Sequence, residues 1–189
     1  MPQVTQLIIF VNGPFGVGKT TAVAELNKLI PDALIIDPEK VGHMLWAQLP
    51  EVMRMEEFEL EPIWPALTRT LIEQVHRTYG RDLLIPMTIV RPRVFGEIVQ
   101  PIRDLGIAVT HVTLLAQPET IRERLRQRGE GPDRWGELSW EGLQVERCLA
   151  SLALPVFATH IDTEHLTPPQ IAAAVITLAG LADPEGRLI

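Results

Sequence analysis

A single cysteine, Cys148, occurs in 189 residues, so no internal disulfide can staple this chain. Its apolar surroundings, Val145 to Leu152, predict a buried thiol in a reducing, cytoplasmic setting. Lysine is nearly as scarce, at three residues, and acids outnumber bases 24 to 17, which leaves a net charge of −7. A field of that sign repels nucleic-acid backbones, and no nucleic-acid partner is expected. No apolar run approaches the roughly 20 residues that span a bilayer, so no transmembrane segment is predicted. The chain enters its first apolar run at Leu7, so no cleavable signal is expected. Repeats, low-complexity stretches and convincing linkers are lacking too, and the length suits one domain over residues 1–189 with a substantial core. His43, His76, His111, His160 and His165 show no metal-ligand spacing and read as structural or surface residues.

Against these absences stands one dense signal. Gly13, Pro14, Phe15, Gly16, Val17, Gly18, Lys19 and Thr20 fit the phosphate-binding (Walker A) pattern G-x-x-x-x-G-K-[ST]. The apolar run Leu7 to Val11 precedes it and a helix-like stretch from Thr21 follows, the strand–loop–helix context the chemistry requires. Successive backbone N–H groups can turn inward around phosphate oxygens where no Cβ intervenes, and the following helix adds its positive dipole end. Lys19 would carry a positive charge to the β- and γ-phosphates, and the Thr20 hydroxyl would ligate Mg²⁺. A nucleoside-triphosphate site is therefore predicted, with ATP and Mg²⁺ as the bound species.

Along the rest of the chain, apolar runs alternate with helical patterns, the signature of a parallel sheet covered on both faces. Strands are expected at about 7–12, 33–37, 82–87, 108–115 and 156–162. Helices are expected at about 19–30, 39–47, 63–79, 93–104, 118–128, 139–152 and 168–182. The fold class is α/β: a P-loop NTPase with a five-stranded parallel sheet, nucleoside-kinase-like, with a short lid. Two segments resist a regular assignment, a substrate-side insertion at about 48–62 and a lid at about 129–138. Both read as flaps over the site or as plain surface loops.

Asp37 follows the second strand, at the carboxyl edge where open α/β sheets collect ligands. A carboxylate there can hold Mg²⁺ or accept a substrate proton, or it can cap the helix that begins at Pro38. Glu39 fits the same helical first turn for dipole reasons alone. Arg122, Arg124, Arg126 and Arg128 fall within seven residues and form two stripes on one helix. Arg122 and Arg126 read as a solvated face paired with Glu119 and Glu123, whereas Arg124 and Arg128 are expected to face the nucleotide, where guanidinium groups clamp phosphates. The third strand ends in Met87-Thr88 without the aspartate that many P-loop ATPases place there, which argues against motor and transporter ATPases. Asn27-Lys28-Leu29-Ile30 lacks the aspartate of a guanine-reading motif, which argues against a GTPase. Arg91 and Arg93 follow the third strand as substrate contacts or solvated helix-entry residues. Met44, Leu45, Trp46, Met53, Met55, Phe58 and Trp64 either line an acceptor pocket or fill core between two helices.

Three segments together carry a family resemblance: Ile8 to Thr21 (IIFVNGPFGVGKTT), Ile35 to Gly42 (IIDPEKVG) and His160 to Ala172 (HIDTEHLTPPQIA). The chain resembles the tunicamycin-resistance proteins, within the small P-loop kinases that include chloramphenicol, shikimate and gluconate kinases. The phosphate loop is shared by many families; the DPE-x-VG segment is the more discriminating. The resemblance implies that Gly13 to Thr21 bind the ATP phosphates, with Thr21 included. It implies that Asp37 is the acidic substrate-side residue and that Arg124 and Arg128 are paired lid arginines. It places Asp162, Thr163 and Pro168 in the loop against which adenine packs. It further implies a nucleoside antibiotic with an apolar acyl chain, such as tunicamycin, as the small-molecule partner, and resistance as the outcome. The expected activity is Mg²⁺-ATP-dependent phosphotransfer to a hydroxyl, with Lys19, Asp37 and Arg128 as catalytic residues and Thr20 and Asp37 as metal ligands. The alternatives are a drug-sequestering protein without turnover and a nucleotide-metabolism kinase. Some accounts of the family favour drug binding at a membrane, but the last helix lacks a basic face and reads as one that closes the sheet.

Overall fold

The run Leu7 to Val11 is apolar at every position, as a strand buried on both faces requires. In the computed structural model, which describes residues 6–128 and 139–181, it forms β1 (Leu7–Asn12). With β2 (Leu34–Ile35), β3 (Leu83–Met87), β4 (Ala108–Leu115) and β5 (His160–Asp162) it builds a five-stranded parallel sheet in the order β2-β3-β1-β4-β5. Phe10 lies opposite Ile85 on one side and His111 on the other, which puts β1 at the centre.

Strand periodicity sorts the core into two layers. Ile8 and Phe10 meet Val41 and Leu45 of α2 (Pro38–Gln48), Trp64 and Ile72 of α3 (Trp64–Tyr79), and Phe95 and Ile98 of α4 (Pro92–Asp104). Leu7, Ile9 and Val11 meet Ala22, Val23 and Leu26 of α1 (Lys19–Leu29), and Ile171 and Val175 of α8 (Pro168–Leu178). α5 (Pro118–Arg128) packs Ile121 and Leu125 against Val145 of α7 (Val145–Leu152), preceded by the short α6 (Trp140–Leu143).

Three expected spans shift, each for a local reason. β2 is two residues long because Asp37 leaves the strand to cap α2, its side chain accepting from the Glu39 amide. The last strand begins at His160, because Pro155–Phe157 makes a 3-10 turn whose Phe157 carbonyl accepts from the Thr113 hydroxyl at 2.7 Å. The expected helix over 139–152 divides at Gln144, where the amide bonds tightly to Glu141 before the α-helix restarts. Pro86 sits in β3 without penalty. Asp82 and Leu84 offer their carbonyls to Leu34 and Ile36, so the missing Pro86 donor would point to that same side, past the end of β2.

Candidate functional site

The loop between β1 and α1 lies beyond the carboxyl end of the central strand, where parallel sheets gather ligands. Asn12 fixes its start. This buried side chain accepts from the amides of Gly13 (2.9 Å) and Ile89 (3.0 Å) and donates to the Ile89 carbonyl (2.9 Å). The loop is thereby tied to the segment that leaves β3. Gly16 adopts φ +79°, and a Cβ there would lie 2.7 Å from Leu125 Cγ, so only glycine brings the loop this close to α5. The first-turn amides of α1, which a helix leaves without intrahelical partners, open towards the same space.

Lys19 begins α1 with a buried side chain whose Nζ donates to the Pro14 carbonyl at 2.9 Å and stands 5.6 Å from the Phe15 ring centre. Burial lowers its pKa from the ordinary 10.5 to about 8; the Arg128 charge adds to the lowering, while Glu39, Cys148 and Asp37 oppose it. An ammonium removed from water in this way would gain from an anion placed beside it. Thr20 and Thr21 follow on the exposed side of the first turn. The fit for Mg²⁺ follows from this donor set. Among the described residues no group of three His, Cys, Asp or Glu side chains could hold a metal ion. The Thr20 hydroxyl and the Asp37 carboxylate are the groups here that could hold Mg²⁺ brought in with nucleotide phosphates.

The four arginines of α5 separate by contact. Arg124 turns inward, donating to the Val17 carbonyl (3.1 Å), the Thr163 carbonyl (3.1 Å) and the Thr163 hydroxyl (3.3 Å). Thr163 is fully buried, and its hydroxyl donates to the Leu115 carbonyl, so it seats Arg124 rather than presenting a group outward. Arg124 thus ties the phosphate loop to the β5–α8 connection, at whose far end Pro168 starts α8. Arg128 ends α5 on the surface, close enough for its charge to act on Lys19. Arg126 pairs with Glu123 at 2.7 Å, as expected, whereas Arg122 bonds to Glu146 of α7 instead of Glu119. The expected lid, 129–138, lies outside the described residues.

On the other side of Phe15 opens a cavity of about 370 Å³. Phe15, Trp46, Phe58, Trp64 and Trp140 supply aromatic walls, with Met87, Val90 and Cys148 below. Phe15 meets Trp140 edge-on at 5.3 Å, and Phe58 lies 4.2 Å from Trp46. The segment 48–62 reaches this wall through the 3-10 turn Phe58–Leu60, which Glu61 anchors by accepting from Trp46 Nε1 (2.6 Å) and the Met55 amide (2.7 Å). Gly42 makes the contact possible: a Cβ there would lie 2.4 Å from the Phe58 ring. Of the apolar set in this region, Trp46, Phe58 and Trp64 line the cavity, Leu45 is core, and Met44, Met53 and Met55 are exposed. Burial raises the Cys148 thiol to about 11, so it is an inert part of the wall.

Glu39 lines the cavity, and the charges of Glu39 and Asp37 both act on Lys19. Arg91, expected as a substrate contact or a solvated helix-entry residue, is half-buried and pairs with Glu57 at 3.1 Å. Arg93 pairs with Glu97 on the surface. Residue-by-residue reading passed over Asn12, Trp140 and the Glu57 ion pairs. Only Asn12 carried a local signal, as a polar residue ending a fully apolar strand.

The parallel sheet, the loop and the two flanking sites define a P-loop kinase-like fold. The family model described as AAA domain matches residues 8–145, and the chain belongs to that family. The chain is similar to the Deinococcus radiodurans tunicamycin resistance protein, at 29% identity and a TM-score of 0.76, covering 94% of this chain and 97% of that one. It shares its fold with the APS kinase of Mycobacterium tuberculosis (14% identity, TM-score 0.67, 93% and 98% covered) and the shikimate kinase of Bacteroides thetaiotaomicron (20%, 0.58, 93% and 97%). No curated protein matches the sequence. Among the described residues no helix is long and apolar enough to cross a membrane.

Proposed function

We propose that this protein is a cytoplasmic, Mg²⁺-ATP-dependent phosphotransferase whose acceptor is a hydroxyl on a small molecule with an apolar body, such as a nucleoside antibiotic of the tunicamycin kind. The observation that carries this reading is the position of the buried Lys19 ammonium, between a phosphate loop and an aromatic cavity that share Phe15 as a wall. A donor site alone would not need the second chamber. The loop amides and Lys19 hold the β- and γ-phosphates, and Mg²⁺ screens their charge when bound with the nucleotide. The acceptor oxygen attacks the γ-phosphorus as the bond to the β-phosphate oxygen breaks, and ADP leaves. Asp37 receives the hydroxyl proton, and Arg128 neutralises charge on the transferring group. Arg124, held on Val17 and Thr163, positions the loop.

Incubation with Mg²⁺-ATP and tunicamycin, followed by mass spectrometry, tests the reading: the drug should gain one phosphoryl group. An unchanged drug in the presence of bound ATP would overturn it and leave sequestration. That second reading is favoured by the aromatic walls, which suit an apolar body with or without chemistry. Sequestration would protect in proportion to the amount of protein, without turnover.

A further inference from the structure

One guanidinium group lines the aromatic cavity, a second lies beside it, and both are already paired. Arg147 lines the cavity, and Arg91 lies next to it where the chain leaves β3. In a pocket for an acid, such groups would form the carboxylate or phosphate clamp, since the planar fork matches those anions. Here both converge on Glu57. Arg147 Nη2 lies 2.7 Å from Glu57 Oε1, Arg147 Nη1 lies 3.3 Å from Oε2, and Arg91 Nη2 lies 3.1 Å from Oε2. Arg91 is also 3.8 Å from Glu59, which accepts the amides of Val90 and Arg91 at 2.8 and 3.1 Å. These two acids and two arginines cancel. Among the described residues, the remaining carboxylate and cationic side chains of the lining, His43 aside, are Glu39, Glu56 and Glu141, all of one sign.

We infer that Glu57 determines the specificity of this cavity, occupying both arginines and so excluding acceptors that carry an anionic group. The inference rests on the reading of the cavity as the acceptor site. Glu57 is singled out because its two oxygens engage both guanidinium groups, whereas Glu59 touches only one. An anion entering the cavity meets the Glu56 and Glu141 carboxylates beside aromatic walls, where like charges repel more strongly than in open water. Without the Glu57 charge, Arg147 would lose its partner on this wall and Arg91 would keep only Glu59, at 3.8 Å.

The test uses a fluorescent pair that differs by one sulfonate: uncharged N-phenyl-1-naphthylamine and anionic 1-anilinonaphthalene-8-sulfonate. Both are titrated at neutral pH with Mg²⁺ and a saturating non-hydrolysable ATP analogue. The full-length protein should bind the uncharged probe at least ~10-fold more tightly. Glu57→Gln should narrow that gap by ~5-fold or more through a gain for the sulfonate alone, and Arg147→Gln added to it should restore the gap. Arg147→Gln by itself, on an exposed side chain, should widen the gap, so this variant decides the matter if the Glu57 variant does not fold. Equal affinities in the unaltered protein, binding of neither probe, an unchanged ratio in Glu57→Gln, or a narrowed gap that persists in the double variant would overturn the inference. Because the readout is binding, a protein that binds selectively but never phosphorylates would refute the phosphotransfer reading and leave this one standing.

Discussion

The two chambers on either side of Phe15 are built by different means. The side proposed to take phosphate is one contiguous loop that offers backbone amides and a single buried lysine. The cavity side is made of side chains drawn from α2, the 3-10 turn at Phe58–Leu60, α3, the end of β3, and α6 with α7. Backbone recognition depends on loop shape and accepts few substitutions, whereas a wall of side chains can be re-lined without changing the fold. A fold shared with kinases at 14% and 20% identity shows the architecture alone and leaves the chemistry of both chambers to the residues of this chain.

If the chambers are separable in this way, damage to one should spare the other. Lys19→Ala should lower phosphoryl transfer by about 10³-fold, measured as drug-dependent ATP consumption, while uncharged-probe binding in the cavity stays the same. Loss of probe binding as well would merge the two chambers. Asp37→Asn should lower transfer by ~10²-fold or more and leave the melting temperature unchanged, because asparagine also caps α2 through the Glu39 amide. Full retention of transfer would remove Asp37 as the proton acceptor.

Lys19 gives the donor chamber a pH signature. Its folded pKa of about 8 lies below the ordinary 10.5, so the folded chain binds fewer protons than the unfolded one between those values. Its burial therefore opposes folding in full below pH 8, and that penalty fades as the pH rises towards 10.5. Phosphate favours the protonated form, so ATP affinity should weaken by up to about 10-fold per pH unit above pH 8. Calorimetry in buffers of different ionisation heat should show proton uptake on ATP binding there; a flat profile would contradict the buried ammonium. The smallest effect belongs to the cavity side. Gly42→Ala forces the Phe58 ring away and should cost about 1–3 kcal/mol of stability. Probe binding should weaken, read by fluorescence, while ATP binding holds.

Much of the donor chamber was legible because it is local. Strand, loop and helix follow one another, and the pattern Gly13 to Thr20 places its own amides. The inward turn of Arg124 was also legible, since residues four apart on α5 share a face, although its partner turned out to be loop and connection backbone. The cavity was only half legible. Trp46, Phe58 and Trp64 could be suspected, but the same residues could have filled a core, and Met44, Met53 and Met55 resembled them without lining anything. Trp140 and Arg147 lie more than 80 residues beyond Glu57, and no periodicity connects positions that far apart.

The amino-acid sequence by itself determined the parallel α/β architecture and the phosphate loop, because apolar periodicity and glycine-permitted backbone turns act over a few residues. Tertiary structure alone decided which charges face the cavity and which cancel. Glu57, Arg91 and Arg147 meet only after β3, α7 and the turn before Phe58 have packed together. An ion pair's worth depends on separation and burial, and neither exists until the chain has folded.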